Sequence, residues 1–423
     1  MIFLIIFIML ILIVIGVPVA FSLLIASLVY LYSQGTDLSM LAQSLVRGVD
    51  SFTLLAVPFF LLIGELMNSG GITNKIIDMA KTIVGHFKGG LAQVNNIASL
   101  LFSGISGSST ADTVALGSVM IPAMEKEGYD KKFSAAITAA SSIVGPIIPP
   151  SVTLILFGIV TSTPIGPLLI AGLIPGLLIT ISLMIYTYFV AKNRGYPSYP
   201  RATSKQVRKS FTSGIPALLL PVIIVVGIVS GVFTPTESAA IAALYGILVT
   251  FFYYKNVNIR SFGTILKNTS YDSANILFII ASATIFAWVV TRSGVSDTLA
   301  DFLFNFSTNP TVIITIMVVF LFIIGLFMLA SEAIVVFAPI LTPVAEQVGI
   351  DPIQFGVLSV LILTIGGATP PVGMMLYIVS DIAKLSFSKL VKEMVPMYVP
   401  LVIVSLLTAY IPFLSLVFVD IFF

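Results

Sequence analysis

Long apolar stretches follow one another along the whole chain, and short groups of glycine, proline or polar residues separate or interrupt them. Such stretches predict membrane-crossing helices, because a straight crossing takes about 20 apolar residues. The first two, 2–15 and 17–32, meet at a helix break around Pro18. Further crossings are predicted at 52–67, 133–160, 168–190, 215–232, 237–254, 274–290, 353–380 and 395–413. Three more polar segments are predicted to be helices at the membrane surface, namely 38–46, 73–88 and 259–268.

Two further apolar stretches, 91–124 and 311–344, have an interruption at their centre. In the first, the residues 103–110 form the most polar group inside any apolar stretch of the chain. The arms on either side are short, and a polar tip cannot face lipid. We therefore predict a re-entrant helical hairpin at each of these two stretches rather than a pair of complete crossings.

The two hairpin regions belong to an internal repeat with an offset of 221 residues and no gap. The residues that match are mostly glycine, proline and charge, inside long apolar runs. A repeat of hydrophobic segments interrupted by glycine and proline indicates the binding site of a secondary transporter. The matching pairs are Gly104/Gly325, Pro122/Pro343, Glu125/Glu346, Gly128/Gly349, Asp130/Asp351, Gly145/Gly366, Pro149/Pro370 and Pro150/Pro371.

The basic residues predict the orientation of these segments. Of 20 lysines and arginines, all but Arg47 and Arg292 fall in five clusters, at 75–88, 126–132, 192–209, 255–267 and 384–392. Placing all five clusters in the cytoplasm satisfies the positive-inside rule. Equivalent segments of the two halves then cross in opposite directions. We expect an inverted repeat made of residues 1–190 and 214–423, with 191–213 as a basic cytoplasmic linker.

Composition agrees with a polytopic membrane protein of the all-α class. The chain is 58% hydrophobic and 9% charged, with a mean hydropathy of +1.13, whereas a soluble domain carries about 25% charged residues. Residues 1–15 contain no basic residue, which predicts a retained first helix rather than a cleaved signal peptide. The chain has no cysteine and one histidine, His86, so disulfides and zinc sites of the cysteine–histidine type are excluded. Nothing indicates a nucleic-acid partner.

Two crossings contain proline-rich breaks, at 145–150 and 366–371. Proline lacks an N–H, so backbone carbonyls near it are left without helical partners. A single break of this kind is better explained by a proline kink whose free backbone groups neighbouring helices satisfy. Two breaks at repeat-equivalent positions, each following a hairpin, favour a pair of binding sites instead.

Carbonyl and hydroxyl oxygens suit a small, hard cation, and we predict about two sodium sites. The predicted ligands of the first are Ser103, Ser106, Gly145 and Ile148, and those of the second are Gly325, Met328, Gly366 and Thr369. For Ser109 and Asp112, helix capping is an equal alternative. Helix N-termini that meet within the membrane also attract a carboxylate. The residues predicted to bind substrate are Ser108, Ser109, Thr110, Pro149, Pro150, Ser331, Pro370 and Pro371.

Four motifs, at 102–108, 145–150, 233–239 and 366–371, resemble the large membrane subunit of tripartite ATP-independent periplasmic (TRAP) transporters, most closely that of the sialic-acid systems. The resemblance covers essentially the whole chain. It implies an elevator-type sodium symporter in a bacterial inner membrane. It also implies two partners, a small four-helix membrane subunit and a periplasmic substrate-binding protein. Sialic acid (N-acetylneuraminate) is the favoured cargo, with C4-dicarboxylates or other sugar acids as alternatives.

The second hairpin tip, 327–332, departs from the first because it is much poorer in hydroxyl groups. Its sodium site is therefore expected to depend on carbonyl groups and on Thr369. Glu237 follows Pro235 at a predicted helix start, where capping is its expected role.

Two other function classes match parts of the sequence. The segment 104–107 matches the short Gly-x-Ser-Gly pattern of intramembrane serine proteases. Its serine, Ser106, lacks a histidine or lysine within the membrane to act as base, and one catalytic site would not explain the repeat. An ion channel is the third class, although the sequence contains no continuous polar pore.

Overall fold

The computed structural model describes residues 2–69 and 71–423, and this part of the chain is helical with no strand. The α-helices of the first half are α1 Ile2–Val14, α2 Val19–Ser33, α3 Ser39–Val49, α4 Ala56–Ser69, α5 Ile72–Val84, α6 Gly90–Ser106, α7 Ser109–Lys126, α8 Lys131–Ser141, α9 Val152–Thr161, α10 Ile165–Ala171 and α11 Leu173–Arg194. Short 3-10 turns at Phe52–Leu55 and Ser142–Val144 precede α4 and extend α8.

The α-helices of the second half are α12 Ser204–Val229, α13 Pro235–Leu248, α14 Ile259–Ser293, α15 Val295–Phe306, α16 Pro310–Gly325, α17 Ala330–Gln347, α18 Pro352–Gly367, α19 Met374–Ala383, α20 Phe387–Tyr410 and α21 Phe413–Phe422. A π-helical turn at Val249–Tyr253 extends α13. Within the described residues, six segments are long and apolar enough to cross a membrane, namely Phe52–Ser69, Ile165–Arg194, Ser204–Val229, Pro235–Tyr253, Ile259–Ser293 and Phe387–Tyr410.

Both predicted hairpins and both predicted helix breaks are present. Helices α6 and α7 form the first hairpin and α16 and α17 the second. Between α8 and α9, and again between α18 and α19, the chain leaves the helical path at the two proline motifs. The second hairpin arms begin at Ser109 and Ala330, which are 221 residues apart, as the sequence repeat requires. The peptide bonds Pro149-Pro150 and Pro370-Pro371 are both cis.

Equivalent helices of the two halves make equivalent contacts with the opposite half. Helix α7 of the first hairpin packs against α19, and its counterpart α17 packs against α9. A twofold relation between the halves explains these contacts, because each hairpin then packs against the broken helix of the other half. The predicted fold class is confirmed: an all-α polytopic protein with an inverted repeat, two hairpins and two unwound helices.

A second group of helices packs mainly among itself. Helix α14 lies against α2, α3 and α4, while α13 lies against α4 and α12. Helices α4, α5 and α12 also touch α6, the first arm of the first hairpin. The hairpins and broken helices thus form one body, which contacts the other group along α6 and, through α14, along α17 and α9.

Local sequence explains where several helices begin. Proline occupies the first helical position of α13, α16 and α18, where its missing N–H costs no hydrogen bond. At α13 the Thr234 hydroxyl accepts from the Glu237 N–H, and the Glu237 carboxylate accepts from the Thr234 N–H at 2.8 Å. This capping box confirms the expected role of Glu237.

Other expectations need correction. Segment 259–268 is not a separate surface helix but the first part of the 35-residue helix α14. It contains no proline, so nothing ends the helix before the apolar part begins. The expected linker 191–213 is non-helical only between Arg194 and Ser204, the end of α11 and the start of α12. Helices α15 and α21 were not anticipated.

Candidate functional site

The first hairpin tip lies directly against the first helix break. At Gly107, which joins the two arms, φ is +61°, and a Cβ atom would lie 2.3 Å from the Pro150 carbonyl oxygen. At Gly145, a Cβ atom would lie 2.8 Å from Asp112 Oδ2 and 2.9 Å from the Ser109 nitrogen. Only glycine permits these approaches, and the backbone of the break therefore faces the tip.

The four residues predicted for the first sodium site have different surroundings. The Ser106 hydroxyl donates to Asp112 Oδ1, and Asp112 in turn lies beside Gly145. The Gly145 and Ile148 carbonyl oxygens accept no hydrogen bond from the described residues. Ser103 is fully buried on α6, and its hydroxyl donates to the Leu100 carbonyl at 2.7 Å.

Asp112 is the residue that sequence reasoning undervalued. Its side chain is fully buried, and no ion pair to it exists among the described residues. Oδ1 accepts from Ser106, whereas Oδ2 has no partner in the described part of the chain. A buried carboxylate without a compensating charge is strongly unfavourable. The arrangement therefore fits a bound cation, or a proton, beside Oδ2.

The capping alternative for Ser109 and Asp112 is wrong. The N-cap of α7 is Ser108, whose hydroxyl accepts from the Ala111 N–H at 3.5 Å. The cap is one position earlier than a capping box from Ser109 to Asp112 requires, so Asp112 has no capping role. The usable signal in the sequence was a carboxylate within an apolar hairpin arm, because ionisable residues there are functional candidates by default.

The second hairpin meets the second break by direct backbone contact. A Cβ atom at Gly366 would lie 2.6 Å from the Gly325 carbonyl carbon, and one at Gly325 would lie 2.8 Å from the Leu363 oxygen. A cavity of about 30 Å³ lies beside this contact and is lined in part by Met328 and Gly373. It is large enough for one water-sized species.

Two further ligands of the predicted second site already have hydrogen-bond partners. The Gly366 carbonyl accepts from the Thr369 N–H at 2.8 Å, and the Thr369 hydroxyl donates to the Ile365 carbonyl at 2.7 Å. The Gly325 and Met328 carbonyls accept no hydrogen bond from the described residues outside regular helix bonding. From α20, the Tyr398 hydroxyl donates to the Ala368 carbonyl at 2.8 Å, a contact that sequence reasoning missed.

The residues predicted to bind substrate occupy the hairpin tips and the breaks. Ser108, Ser109 and Thr110 are half-buried, with 3.0 Å between the Ser108 and Thr110 hydroxyls. In the first break Pro149 and Pro150 are buried; at the second tip and break Ser331 and Pro370 are half-buried and Pro371 is exposed. These residues flank the N-termini of α7, α9, α17 and α19, which carry partial positive charge.

Paired hairpins and paired broken helices, with oxygen-lined breaks, define the class as a multi-pass secondary transporter. The sequence matches the family of the tripartite ATP-independent periplasmic transporter, DctM component, over residues 6–414. The chain belongs to this family, which makes it a TRAP transporter large permease subunit of the bacterial inner membrane rather than an enzyme. The serine-protease and channel alternatives are thereby set aside.

Relatives in this family carry different cargoes. The chain is 43% identical to the sialic acid TRAP transporter large permease protein SiaM of Vibrio cholerae, with 96% of each chain covered. It is 36% identical to the 2,3-diketo-L-gulonate large permease YiaN of Escherichia coli (94% of this chain, 93% of the relative). The Haemophilus influenzae sialic acid permease SiaT is 40% identical over 94% of this chain, which spans 65% of that longer protein.

Solved transporter structures share the fold at low sequence identity. The YdaH transporter of Alcanivorax borkumensis superposes with a TM-score of 0.61 at 17% identity, covering 88% of both chains. MtrF of Neisseria gonorrhoeae gives 0.61 at 13% identity, covering 88% of this chain and 83% of that one. These likenesses concern the fold alone.

Proposed function

We propose that this chain imports a small organic acid together with sodium, by an elevator movement of the hairpin-bearing body. The observation that carries the proposal is the unpartnered Oδ2 of Asp112 beside Gly145, where the first tip meets the first break. The Gly145 carbonyl itself accepts no hydrogen bond from the described residues. A buried anionic oxygen beside free carbonyls is a setting that a small cation stabilises.

Sodium fits the first site better than calcium. One carboxylate, a hydroxyl and a few carbonyls supply too little negative charge for a typical calcium cage. The second site supplies only neutral oxygens, since the repeat-equivalent of Asp112 is Ala333. The two proposed sites therefore differ in charge, and the first should hold sodium more tightly.

The division of the helices into two bodies supports the elevator movement. The hairpins and broken helices contact each other across the repeat, whereas α14 and α13 pack mainly on α2, α3, α4 and α12. In the proposed mechanism the first group carries both sites across the membrane and the second stays fixed. Sodium binding would order the hairpin tips, which then hold the acid.

The favoured cargo is sialic acid. The carboxylate would lie near the partly positive N-termini of the half-helices, close to Ser108 and Ser109. Relatives whose names specify sialic acid include the 43% identical SiaM and the 40% identical SiaT. Other relatives are named for diketogulonate and for C4-dicarboxylates. Other sugar acids and C4-dicarboxylates are therefore the alternative cargoes to test.

We expect two protein partners, a small four-helix membrane subunit and a periplasmic binding protein that delivers the acid. The small subunit would pack against the fixed group of helices. The family description, a component of a tripartite periplasmic transporter, supports both partners.

Uptake is expected to depend on sodium and to speed up with an inside-negative potential. If two sodium ions accompany one monoanion, one net charge enters, worth about 2.3 kcal/mol per 100 mV. The measurement is uptake of labelled sialic acid by proteoliposomes that contain this chain and both partners. Omitting either partner is the control and should abolish uptake; uptake with potassium alone on both sides would contradict sodium coupling.

Substituting Ser106 with alanine should raise the sodium concentration needed for half-maximal uptake, since the hydroxyl that positions Asp112 is removed. We expect about a tenfold effect, as for loss of a residue that orients a metal ligand. The matched control is Phe327→Ala at the repeat-equivalent position, where the side chain is 55% exposed and the sodium dependence should not change. Equal sodium dependence in wild type and Ser106→Ala would remove Ser106 from the site.

A further inference from the structure

A separate cavity of about 450 Å³ lies away from both hairpin tips, where α5, the non-helical linker and the start of α12 come together. Four basic side chains line it, Lys75, Lys81, Arg201 and Lys209, and Asp78 is its one carboxylate among the described lining residues. The cavity therefore has a local excess of positive charge, and it belongs to neither of the proposed sodium sites.

None of these four basic residues forms an ion pair with a carboxylate in the described part of the chain. The ion pairs there employ Lys131, Arg194 and Lys384 instead. Those three cations are neutralised by acidic neighbours, whereas the cavity brings several together without an equivalent number of acids. Because these like charges repel one another, an anion from outside the chain would stabilise the grouping.

Specific contacts fix the walls of the cavity. The Thr82 and Ser210 hydroxyls lie 3.0 Å apart and join α5 to α12. Lys81 Nζ lies 3.7 Å from the centre of the Tyr199 ring, and the Tyr199 N–H donates to the Gly85 carbonyl at 2.9 Å. The linker is thus held against α5, and hydroxyl-bearing residues, Thr82, Ser210 and Ser213, line the cavity together with the cations.

Its position indicates the kind of anion. Helix α12 begins at Ser204 beside the cavity and continues as a membrane-crossing segment. The five basic clusters place this end of α12 at the cytoplasmic surface. Basic pockets between helices on that side of a membrane bind anionic lipid headgroups, and a guanidinium such as that of Arg201 matches phosphate oxygens in a bidentate manner.

We propose that this cavity binds the headgroup of an anionic phospholipid, with its phosphate held by Lys81, Arg201 and Lys209. The bound lipid braces the linker between the two halves against α5 and α12. The Tyr199 hydroxyl also donates a hydrogen bond to Glu127, which follows the end of α7. This hydrogen bond connects the wall of the cavity to the first hairpin.

The test is native mass spectrometry of the full-length chain, titrated with phosphatidylglycerol or phosphatidylcholine. The variant Lys81→Gln/Arg201→Gln/Lys209→Gln removes three cavity charges. Its matched control, Lys132→Gln/Lys192→Gln/Lys389→Gln, removes three charges from exposed positions in the basic clusters outside the cavity. The double variant Arg201→Gln/Lys209→Gln keeps the Lys81–Tyr199 contact in case the triple variant does not fold.

Wild type and the control should retain phosphatidylglycerol in preference to phosphatidylcholine. The cavity variants should bind it about fivefold more weakly for each charge removed. Equal loss in cavity and control variants would overturn the proposal in favour of diffuse surface charge. Displacement of the lipid by millimolar glycerol 3-phosphate, with binding of that phosphate alone, would overturn the lipid as the occupant.

Discussion

Replacing Asp112 with asparagine is expected to abolish sodium-driven uptake while leaving the protein folded. The amide keeps the size of the side chain but removes the charge beside Gly145. A unit charge about 4 Å from a cation contributes about 4 kcal/mol at an effective dielectric constant of about 20. Its loss should weaken sodium binding by on the order of a thousandfold. The measurement is sodium-dependent uptake in proteoliposomes with both partners.

The same substitution separates a binding role from a structural one. Without sodium, the variant should unfold at the same or a higher temperature than wild type, since an unpaired buried charge is removed. Sodium should raise the melting temperature of the wild type, because it binds the folded state. It should raise the melting temperature of the variant much less. Asp301→Asn, at an exposed carboxylate, serves as control. Normal uptake by Asp112→Asn would contradict the proposed site.

Adding one methyl group at Gly366 is expected to abolish transport, whereas the same change at Gly367 should not. The Gly366→Ala methyl would lie 2.6 Å from the Gly325 carbonyl carbon, a backbone atom that cannot rotate away. At Gly367 the nearest atom is the end of the Met375 side chain at 3.6 Å, an ordinary contact. Overpacking of this kind destabilises the folded state by about 1–3 kcal/mol. At Gly366 the added methyl group would push the second hairpin away from the second helix break.

Thermal unfolding and sodium-dependent uptake of the two alanine variants test this expectation. Because the two glycines are neighbours at the end of α18, their helix propensities change alike, and only the contact with Gly325 differs. If Gly366→Ala transports as well as Gly367→Ala, close contact between the second hairpin and its break is not required for transport.

The secondary structure was predictable where side chains dictate backbone conformation locally. Pro149, Pro150 and their repeat-equivalents cannot continue a helix, so both breaks were evident. Thr234 and Glu237 have the spacing of a capping box and form one. The polarity of segment 259–268 was a poorer guide, because polar residues indicate exposure and do not end a helix.

By itself the sequence determined the class, the repeat, the hairpins and the breaks, since these follow from hydrophobic length and from the backbone limits of proline and glycine. Only the tertiary structure decided which groups meet. It brought Asp112 to Gly145 and Tyr398 to Ala368. Each is a contact between elements distant in the chain, and its partner depends on how helices pack rather than on local sequence. For that reason the unpartnered oxygen of Asp112 became evident only in the folded chain.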